Sequence, residues 1–300
     1  MKKIILLFTV VFLILGISST VMALPLVPSA YGPLYMQFSN LEQISASQSI
    51  TAPSGATEIN WGIVTLSNIQ LGDVVTPGND PQNFGPIPAF LGGTVWTPSA
   101  SSEITGIFYG VQGTTGALPT TLYGTGGMMD LYYDTTPDGN LATATPAQRL
   151  TDNTFTNFTD GTFLGRIAFV NGALEAGSNA SITGDVIPGG AGGAFGGNAN
   201  SFGNVVDVNS DGIIDALDGL WASMLDTNYF HTVLGNNTAD IRFRNNYNGP
   251  LASWSGGGDI VGAQSSDPAR ANAVPEPATL VLLGMGLLGM AGLARRKFYK

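Results

Sequence analysis

An all-β body, of the β-sandwich or jelly-roll type, is predicted for this chain by its composition and by the spacing of its apolar residues. The 300 residues include 41 glycines, and only 11% of the residues are charged. Short runs alternate between apolar and polar residues, turn-forming residues separate these runs, and no helical period persists before residue 215. Many short strands at regular spacing are typical of these two architectures.

Four alternating runs carry the strand prediction most clearly. They are Glu58–Leu66, Glu103–Val111, Met128–Tyr133 and Thr162–Val170. Turns are predicted at Pro137–Asn140, where proline sets φ for the first corner, and at Asp160-Gly161, where glycine tolerates a positive φ. A short helix is predicted after residue 215, because Leu217, Leu220, Trp221, Met224 and Leu225 recur at helical spacing.

The body is predicted to occupy residues 24–255. Residues 187–203 are dominated by glycine, alanine and asparagine, so they form either a linker between two domains or a long loop inside one sandwich. Residues 76–88 are dense in proline, glycine, asparagine and aspartate and are predicted to form another loop. Residues 256–273 have few bulky side chains and are predicted to be a flexible stalk before a C-terminal segment, 274–300.

The N-terminal 23 residues have the three parts of a secretory signal peptide. Lys2 and Lys3 precede an almost wholly apolar segment, Ile4–Ile17, and small residues follow it. This pattern predicts cleavage between Ala23 and Leu24. The alternative is a permanent membrane helix, but the apolar segment is short for that role.

The C-terminal segment has three parts of its own: a short motif, an apolar stretch and a basic terminus. The stretch 278–294 has no charged residue and is just long enough to span a bilayer, so it is predicted to be a transmembrane helix with its basic end in the cytoplasm. The motif and the basic residues are, in order, Val274, Pro275, Glu276, Pro277, Arg295, Arg296 and Lys297.

This arrangement closely resembles the PEP-CTERM sorting domain of Gram-negative bacteria. The resemblance covers about a tenth of the chain. It implies export, transient anchoring in the inner membrane, recognition by an exosortase, and a final place on the cell surface or in the extracellular matrix. The alternative is an ordinary tail anchor in which the Pro-Glu-Pro motif arose by chance.

Charge and cysteine content exclude several classes of function. Residues 24–274 contain no lysine, five arginines and twenty acidic residues, which gives a net charge of −15. Such a surface repels nucleic acid and anionic lipid and attracts divalent cations. The absence of cysteine excludes disulfides, thiol catalysis and cysteine-ligated zinc.

One segment has the spacing of a calcium-binding loop. Oxygen ligands fall at positions 1, 3, 5, 7, 9 and 12, Gly212 stands at the sharp turn, and the apolar Ile214 would tether the loop to the core. The predicted ligands are Asp207, Asn209, Asp211, Ile213 through its backbone carbonyl, Asp215 and Asp218. The loop resembles that of dockerin modules, but a single loop does not imply binding to cohesin. The alternative is a β-hairpin with its turn at Asn209–Gly212, since no helix is apparent before the loop.

The other candidate sites are weaker. Asp130, Asp134 and Asp138 form a second acidic run, which either contacts a cation or sugar or forms the solvated face of a hairpin. Trp61 is predicted to lie in the core, whereas Trp254 stands among serines and glycines and is predicted to be exposed as a glycan contact.

Catalysis finds little support in the sequence. The chain has one histidine and no Gly-x-Ser-x-Gly motif, so neither a His-rich zinc site nor a nucleophile elbow is present. We therefore expect a non-enzymatic surface or matrix protein, which the resemblance associates with exopolysaccharide, biofilm or floc. The alternatives are a carbohydrate-binding adhesin and a secreted glycoside hydrolase.

Overall fold

The computed structural model describes residues 32–71, 94–113, 121–172, 180–183, 197–232, 234 and 237–274. The predicted signal peptide, its cleavage site at Ala23–Leu24, the loop 76–88 and residues 275–300 lie outside these ranges. Among the described residues, no helix has the length and apolar character needed to cross a membrane.

The described residues are mostly β-strands, as the sequence predicts. In chain order the strands are β1 (Gly32–Ile44), β2 (Ile50–Thr51), β3 (Thr57–Glu58), β4 (Asn60–Leu71), β5 (Thr94–Trp96), β6 (Glu103–Gly113), β7 (Thr121–Asp134), β8 (Thr162–Val170), β9 (Ala180–Thr183), β10 (Asn198–Val205), β11 (Phe230–His231), β12 (Thr238–Ala239), β13 (Ile241–Pro250) and β14 (Val261–Ala273). Within the described ranges, the helical elements are α1 (Ala222–Leu225) and three 3-10 turns, Pro146–Gln148, Ala216–Asp218 and Ala252–Trp254.

Ten of the strands form one antiparallel sheet that closes on itself. Its order is β1-β14-β13-β10-β8-β7-β6-β4-β5, β9 pairs with β10 and β7, and β1 also pairs with β4. The last pairing joins the two sides of the sheet, so the layers of the predicted sandwich are facing walls of a closed sheet. Closure leaves fewer exposed edges, which are the parts of a sheet prone to aggregation.

Apolar side chains alternate between the inside and the outside of this sheet. In β4, Val64 and Leu66 point into the main core, whereas Trp61 and Ile63 belong to a second cluster on the outer face. Period-two alternation is what a strand with both faces covered requires. The outer cluster lies beneath the segment between β7 and β8, which contributes Phe155.

The first and last residues of the described chain lie at the same end of the closed sheet. Gly32, the first residue of β1, pairs with Ala273, the last residue of β14. Because neighbouring strands are antiparallel, β13 begins at this end and β10 finishes there, with Ile241 opposite Ala271 and Gly203 opposite Ile241. We call it the tail-exit end, because the chain leaves it at Val274.

This topology bears on two of the predictions about domain organisation, those for the stalk 256–273 and for the segment 187–203. The predicted flexible stalk, 256–273, is wrong: residues 261–273 form β14, which is hydrogen-bonded to β1 on one side and to β13 on the other. Residues 198–205 form β10, which pairs with β8 before it in the chain and with β13 after it. Strands from before and after residues 187–196 therefore belong to one sheet, which favours a loop within one domain over a linker.

The predicted strands agree with the observed ones to different degrees. Thr162–Val170 is β8, with the predicted bounds, and Glu103–Val111 lies within β6. Met128–Tyr133 is the second half of β7. Glu58–Leu66 is divided between β3 and β4, because the chain bends between them at Ile59, whose N–H donates a hydrogen bond to the carbonyl of Val111.

Candidate calcium loop and sorting signal

The predicted calcium loop follows the last residue of β10 and is held together by its own carboxylates. Asp207 accepts three backbone N–H groups, with Ser210 and Asp211 donating to Oδ1 (2.6 and 3.3 Å) and Gly212 donating to Oδ2 (2.7 Å). Asn209 Oδ1 accepts from the N–H of Asp211 at 2.8 Å. The backbone of the loop therefore curls around the first aspartate.

The sharp turn of the loop lies where the pattern places glycine. Gly212 has a φ of 88°, which L-residues with a side chain rarely adopt. An added Cβ would meet nothing within 4 Å, so the backbone conformation and not the available space requires glycine here. Ser210 also has a positive φ, 61°, and the two residues bring the backbone back toward Asp207.

Asp218, the last predicted ligand, ties the two ends of the loop together. It is fully buried, and its Oδ1 accepts the N–H groups of Val208 (2.6 Å) and Asn209 (3.0 Å), while Oδ2 accepts that of Asp215 (3.0 Å). Burial by itself would raise the pKa of Asp218, but these three hydrogen bonds outweigh it and hold the pKa below its ordinary value. Asp218 is therefore a stable carboxylate in the fold.

The remaining predicted positions also fit a folded loop. Asp215 caps the 3-10 turn Ala216–Asp218 by accepting the N–H of Leu217 at 2.7 Å. Asp211 accepts the N–H of Ile213 at 2.9 Å. Ile214 packs against the main core, the role that the pattern predicts for it.

The carboxylates of the loop are turned toward backbone donors more than toward one another. Among the described residues, the three carboxylates whose oxygens all lie within 4.8 Å of each other are Glu103, Asp134 and Asp138, which do not belong to this loop. The predicted ligands therefore lie in one hydrogen-bonded loop. No three carboxylates of this loop have oxygens that all lie within 4.8 Å of one another. Whether the loop binds calcium stays a prediction.

The predicted helix after the loop is interrupted. Instead of one amphipathic helix, the chain forms the 3-10 turn and then the four-residue α1. Gly219 stands between them with a φ of 126°, and an added Cβ there would collide with the backbone of Leu164 and Gly165 in β8. The N–H of Trp221 donates to the carbonyl of Leu164 at 2.7 Å, so the segment hydrogen-bonds to the sheet before it becomes helical.

Four of the five apolar residues predicted for the helix still face the protein: Trp221, Met224 and Leu225 are core residues and Leu220 packs against the core. Leu217 does not, and 74% of its surface is exposed.

The second acidic run is divided between two environments. Asp130 is buried and forms an ion pair with Arg166, whose Nε lies 2.7 Å from Oδ1. Tyr109 also donates its hydroxyl to Asp130 at 3.1 Å. Asp130 is therefore a structural residue and is not available to a cation or a sugar from solvent.

The other two aspartates of the run lie beside Glu103 at the start of β6. Glu103 accepts the N–H groups of Asp138 (2.8 Å) and Gly139 (2.9 Å), which fixes the chain after β7. The pKa of Asp138 is raised by partial burial and by the neighbouring charges of Asp160 and Asp134. Clustered carboxylates with such mutual repulsion are stabilised by any cation that comes near.

The prediction that Trp254 is exposed as a glycan contact is wrong. Its relative exposure is 0%, its indole N–H donates to the carbonyl of Ala144 at 3.0 Å, and its ring lies 5.3 Å from that of Trp61. The 3-10 turn Ala252–Trp254 folds the side chain back onto the outer face of the sheet. Trp254 is a core residue that cannot stack on an external sugar, whereas Trp61 is buried as predicted.

The described chain reaches the predicted sorting signal without a spacer. β14 ends at Ala273, and the N–H of Val274 donates to the carbonyl of Met224 in α1 at 2.9 Å. Val274 is the only residue of the predicted signal within the described ranges. Pro275, Glu276, Pro277 and the basic residues Arg295, Arg296 and Lys297 lie outside them.

Comparison with known proteins identifies this C-terminal segment. A family model for the PEP-CTERM protein-sorting motif matches residues 273–297. Neither the curated proteins nor the solved structures contain a significant match to the chain. The motif implies an exported protein that an exosortase sorts at the membrane.

Proposed function

We propose that the protein is a non-enzymatic component of the cell surface or extracellular matrix, released from its membrane anchor by an exosortase. The sorting motif at residues 273–297 carries this proposal. Export by the N-terminal signal, with cleavage between Ala23 and Leu24, would precede sorting. The mature body would then join the exopolysaccharide, biofilm or floc outside a Gram-negative cell.

The composition of the body supports an extracellular physical role. A closed sheet without cysteine does not depend on the redox state of its surroundings, and a net charge of −15 keeps the protein soluble and favours contact with cations. The absence of lysine between residues 24 and 274 also removes one class of cleavage site for trypsin-like proteases. The alternative of a carbohydrate-binding module loses its proposed aromatic contact, because Trp254 is buried.

Alanine substitutions in the sorting signal test the proposal directly. We expect the triple variant Pro275→Ala/Glu276→Ala/Pro277→Ala to stay in the membrane fraction of its native cells, while the wild-type body accumulates in the matrix. Leu150→Ala is the matched control, since Leu150 is half exposed and does not belong to the signal. Equal release of the triple variant and the wild type would contradict sorting through this motif.

We also propose that the loop 207–218 binds calcium and is ordered by it. The support is the ligand spacing together with the backbone hydrogen bonds that Asp207 and Asp218 accept within the loop. The ligands would be Asp207, Asn209, Asp211, Ile213 through its carbonyl, Asp215 and Asp218. Calcium would neutralise the clustered carboxylates and strengthen the fold.

Calcium titration of thermal unfolding tests this second proposal. With 1 mM calcium and a dissociation constant of about 0.1 mM, linkage gives roughly 1.4 kcal/mol, or a rise in Tm of about 3–6 °C. Asp207→Ala/Asp211→Ala should abolish the rise. The control Asp152→Ala/Asp226→Ala removes the same charge from two exposed positions outside both acidic clusters and should retain the rise. A Tm that ignores calcium in all three proteins would refute the site.

A further inference from the structure

The first and last strands of the described chain, β1 and β14, have their outer termini side by side at the tail-exit end. Gly32 lies opposite Ala273 there, so the segment that follows the signal peptide and the segment that leads to the sorting tail begin side by side. Val274 is fixed by its hydrogen bond to Met224 and is the last described residue before the tail. The position of this end relative to a bilayer is therefore constrained by the chain itself.

The length of the connection sets that position. Only Pro275, Glu276 and Pro277 separate Val274 from the uncharged stretch 278–294. Three extended residues span at most about 10 Å. The headgroup region of one leaflet is on the order of 5–8 Å thick, so Val274 would reach or touch it whenever the stretch 278–294 is inserted.

The tail-exit end also carries exposed apolar side chains. In the described part of the chain, seven large apolar residues are exposed, and four of them lie at this end. They are Val208, Ile213, Leu217 and Val274. Ile213 and Leu217 are the most exposed of the seven, at 65% and 74%, and both belong to the predicted calcium loop.

The fold connects this loop to the point where the tail leaves. The loop follows β10, and only β13 lies between β10 and β14, which places the two strands about 10 Å apart. The 3-10 turn that contains Leu217 packs against α1, and α1 accepts the hydrogen bond from Val274. Ile213 and Leu217 therefore lie close to the exit of the tail.

We propose that the tail-exit end is the membrane-facing end of the body, and that Ile213 and Leu217 enter the lipid interface while the tail is attached. The inference rests on the proposed insertion of residues 278–294. Exposed leucine and isoleucine side chains gain free energy by leaving water for the headgroup–acyl boundary. The same orientation presents the segment 275–277 at the membrane surface, where a membrane enzyme acts.

The acidity of the body makes this contact depend on the tail. A net charge of −15 opposes stable binding of the free body to anionic lipid. The tail supplies the attachment, and a cation in the loop would lower the repulsion close to Ile213. Once the tail is cut, the two apolar side chains do not suffice to hold the body, which favours release.

Site-specific labelling of the full-length protein in vesicles tests the proposal. The chain has no cysteine, so Ile213→Cys, Leu217→Cys and Leu150→Cys each provide a single site for a polarity-sensitive fluorophore. Leu150 is half exposed, and its neighbour Arg149 forms an ion pair with Glu58. Glu58 lies just before Asn60, which pairs with Ile44 at the end of β1 opposite Gly32. Gly286→Cys reports whether the stretch 278–294 is inserted.

The vesicles consist of phosphatidylcholine with a small fraction of lipid that carries a nitroxide quencher. We expect labels at residues 213 and 217 to be blue-shifted and quenched severalfold more strongly than the label at residue 150. Quenching at residue 286 but equal, weak quenching at 213, 217 and 150 would overturn the membrane-facing end and leave the proposed function intact. No quenching at residue 286 would overturn both.

A contact between two copies of the protein is distinguishable from a contact with lipid. If copies covered Ile213 and Leu217, the labels would be blue-shifted but insensitive to the lipid quencher, and the shift would weaken as the protein is diluted in the membrane. That result would also overturn the proposal.

Discussion

Glu42 should make the stability of this protein fall as the pH rises from acid to neutral. It lies inside the closed sheet on β1 and is 1% exposed. Its carboxylate accepts hydrogen bonds from Asn60 Nδ2 at 2.8 Å, Ser265 Oγ at 3.0 Å and Tyr247 Oη at 3.3 Å. Burial raises the pKa of Glu42 from an ordinary 4.5 to about 7, although these hydrogen bonds and one from Asn245 oppose the rise.

The sign and size of the effect follow from this pKa. The folded protein holds the Glu42 proton more tightly than the unfolded chain does, so folding is favoured by protonation. The contribution of Glu42 is fully present below pH 4.5 and is lost as the pH rises through about 7. At 1.36 kcal/mol for each pH unit, the loss amounts to about 3 kcal/mol.

The variant Glu42→Gln isolates this contribution, because glutamine keeps the shape of the side chain and does not titrate. We would measure the free energy of unfolding by urea denaturation of the full-length protein in mild detergent at pH 5 and at pH 8.5. The wild type should lose about 2.5 kcal/mol more than the variant between the two values, because part of the contribution is already lost at pH 5. Parallel pH profiles for the two proteins would refute the reasoning.

Two further substitutions test the outer face of the sheet. Arg149→Ala removes the partner of the buried Glu58, whose Oε2 lies 2.6 Å from Nη1, and should cost about 3–5 kcal/mol because a buried carboxylate is left uncompensated. Urea denaturation measures the loss, and full stability in this variant would show that water reaches Glu58. Trp254→Ala empties the centre of the outer cluster and should cost about 3–5 kcal/mol, against less than about 0.5 kcal/mol for Leu217→Ala on the surface. Similar losses in the last two variants would contradict the burial of Trp254.

β14 was the strand that was hardest to predict from the sequence. Its inward residues are small: Ala263, Ser265, Ala269, Ala271 and Ala273 are all buried. They alternate with period two, which is the signature of a strand, but the usual search for β-branched and aromatic residues passes over them. The larger side chains on neighbouring strands supply the bulk, so the local composition of β14 resembles that of a stalk.

Trp254 shows why neighbouring residues are a poor guide to burial. Serines and glycines flank it in the sequence, and those neighbours are exposed as expected. The indole itself packs against Phe155, 6.2 Å away, and against Trp61, both distant in the chain. The local sequence does not reveal contacts between residues that are so far apart in the chain.

The loop 207–218 was predictable to the extent that its interactions are local. The spacing of its aspartates and the position of Gly212 determine the hydrogen bonds that curl it. The expected helix was not predictable from the apolar period alone, because Gly219 approaches the backbone of β8 too closely for any larger residue. The contact between Gly219 and β8 therefore determines where the expected helix is interrupted.

The intact mass of the protein recovered from its native cells and from their extracellular matrix tests the central claim most directly. Export and exosortase processing predict a matrix product that begins at Leu24 and ends between Val274 and Pro277, with or without an attached group. Such a product would keep all of β14 and would leave no more than three residues beyond the last described one. A matrix or surface product that begins at Leu24 but retains Lys300 would contradict processing of the tail and the matrix role that depends on it.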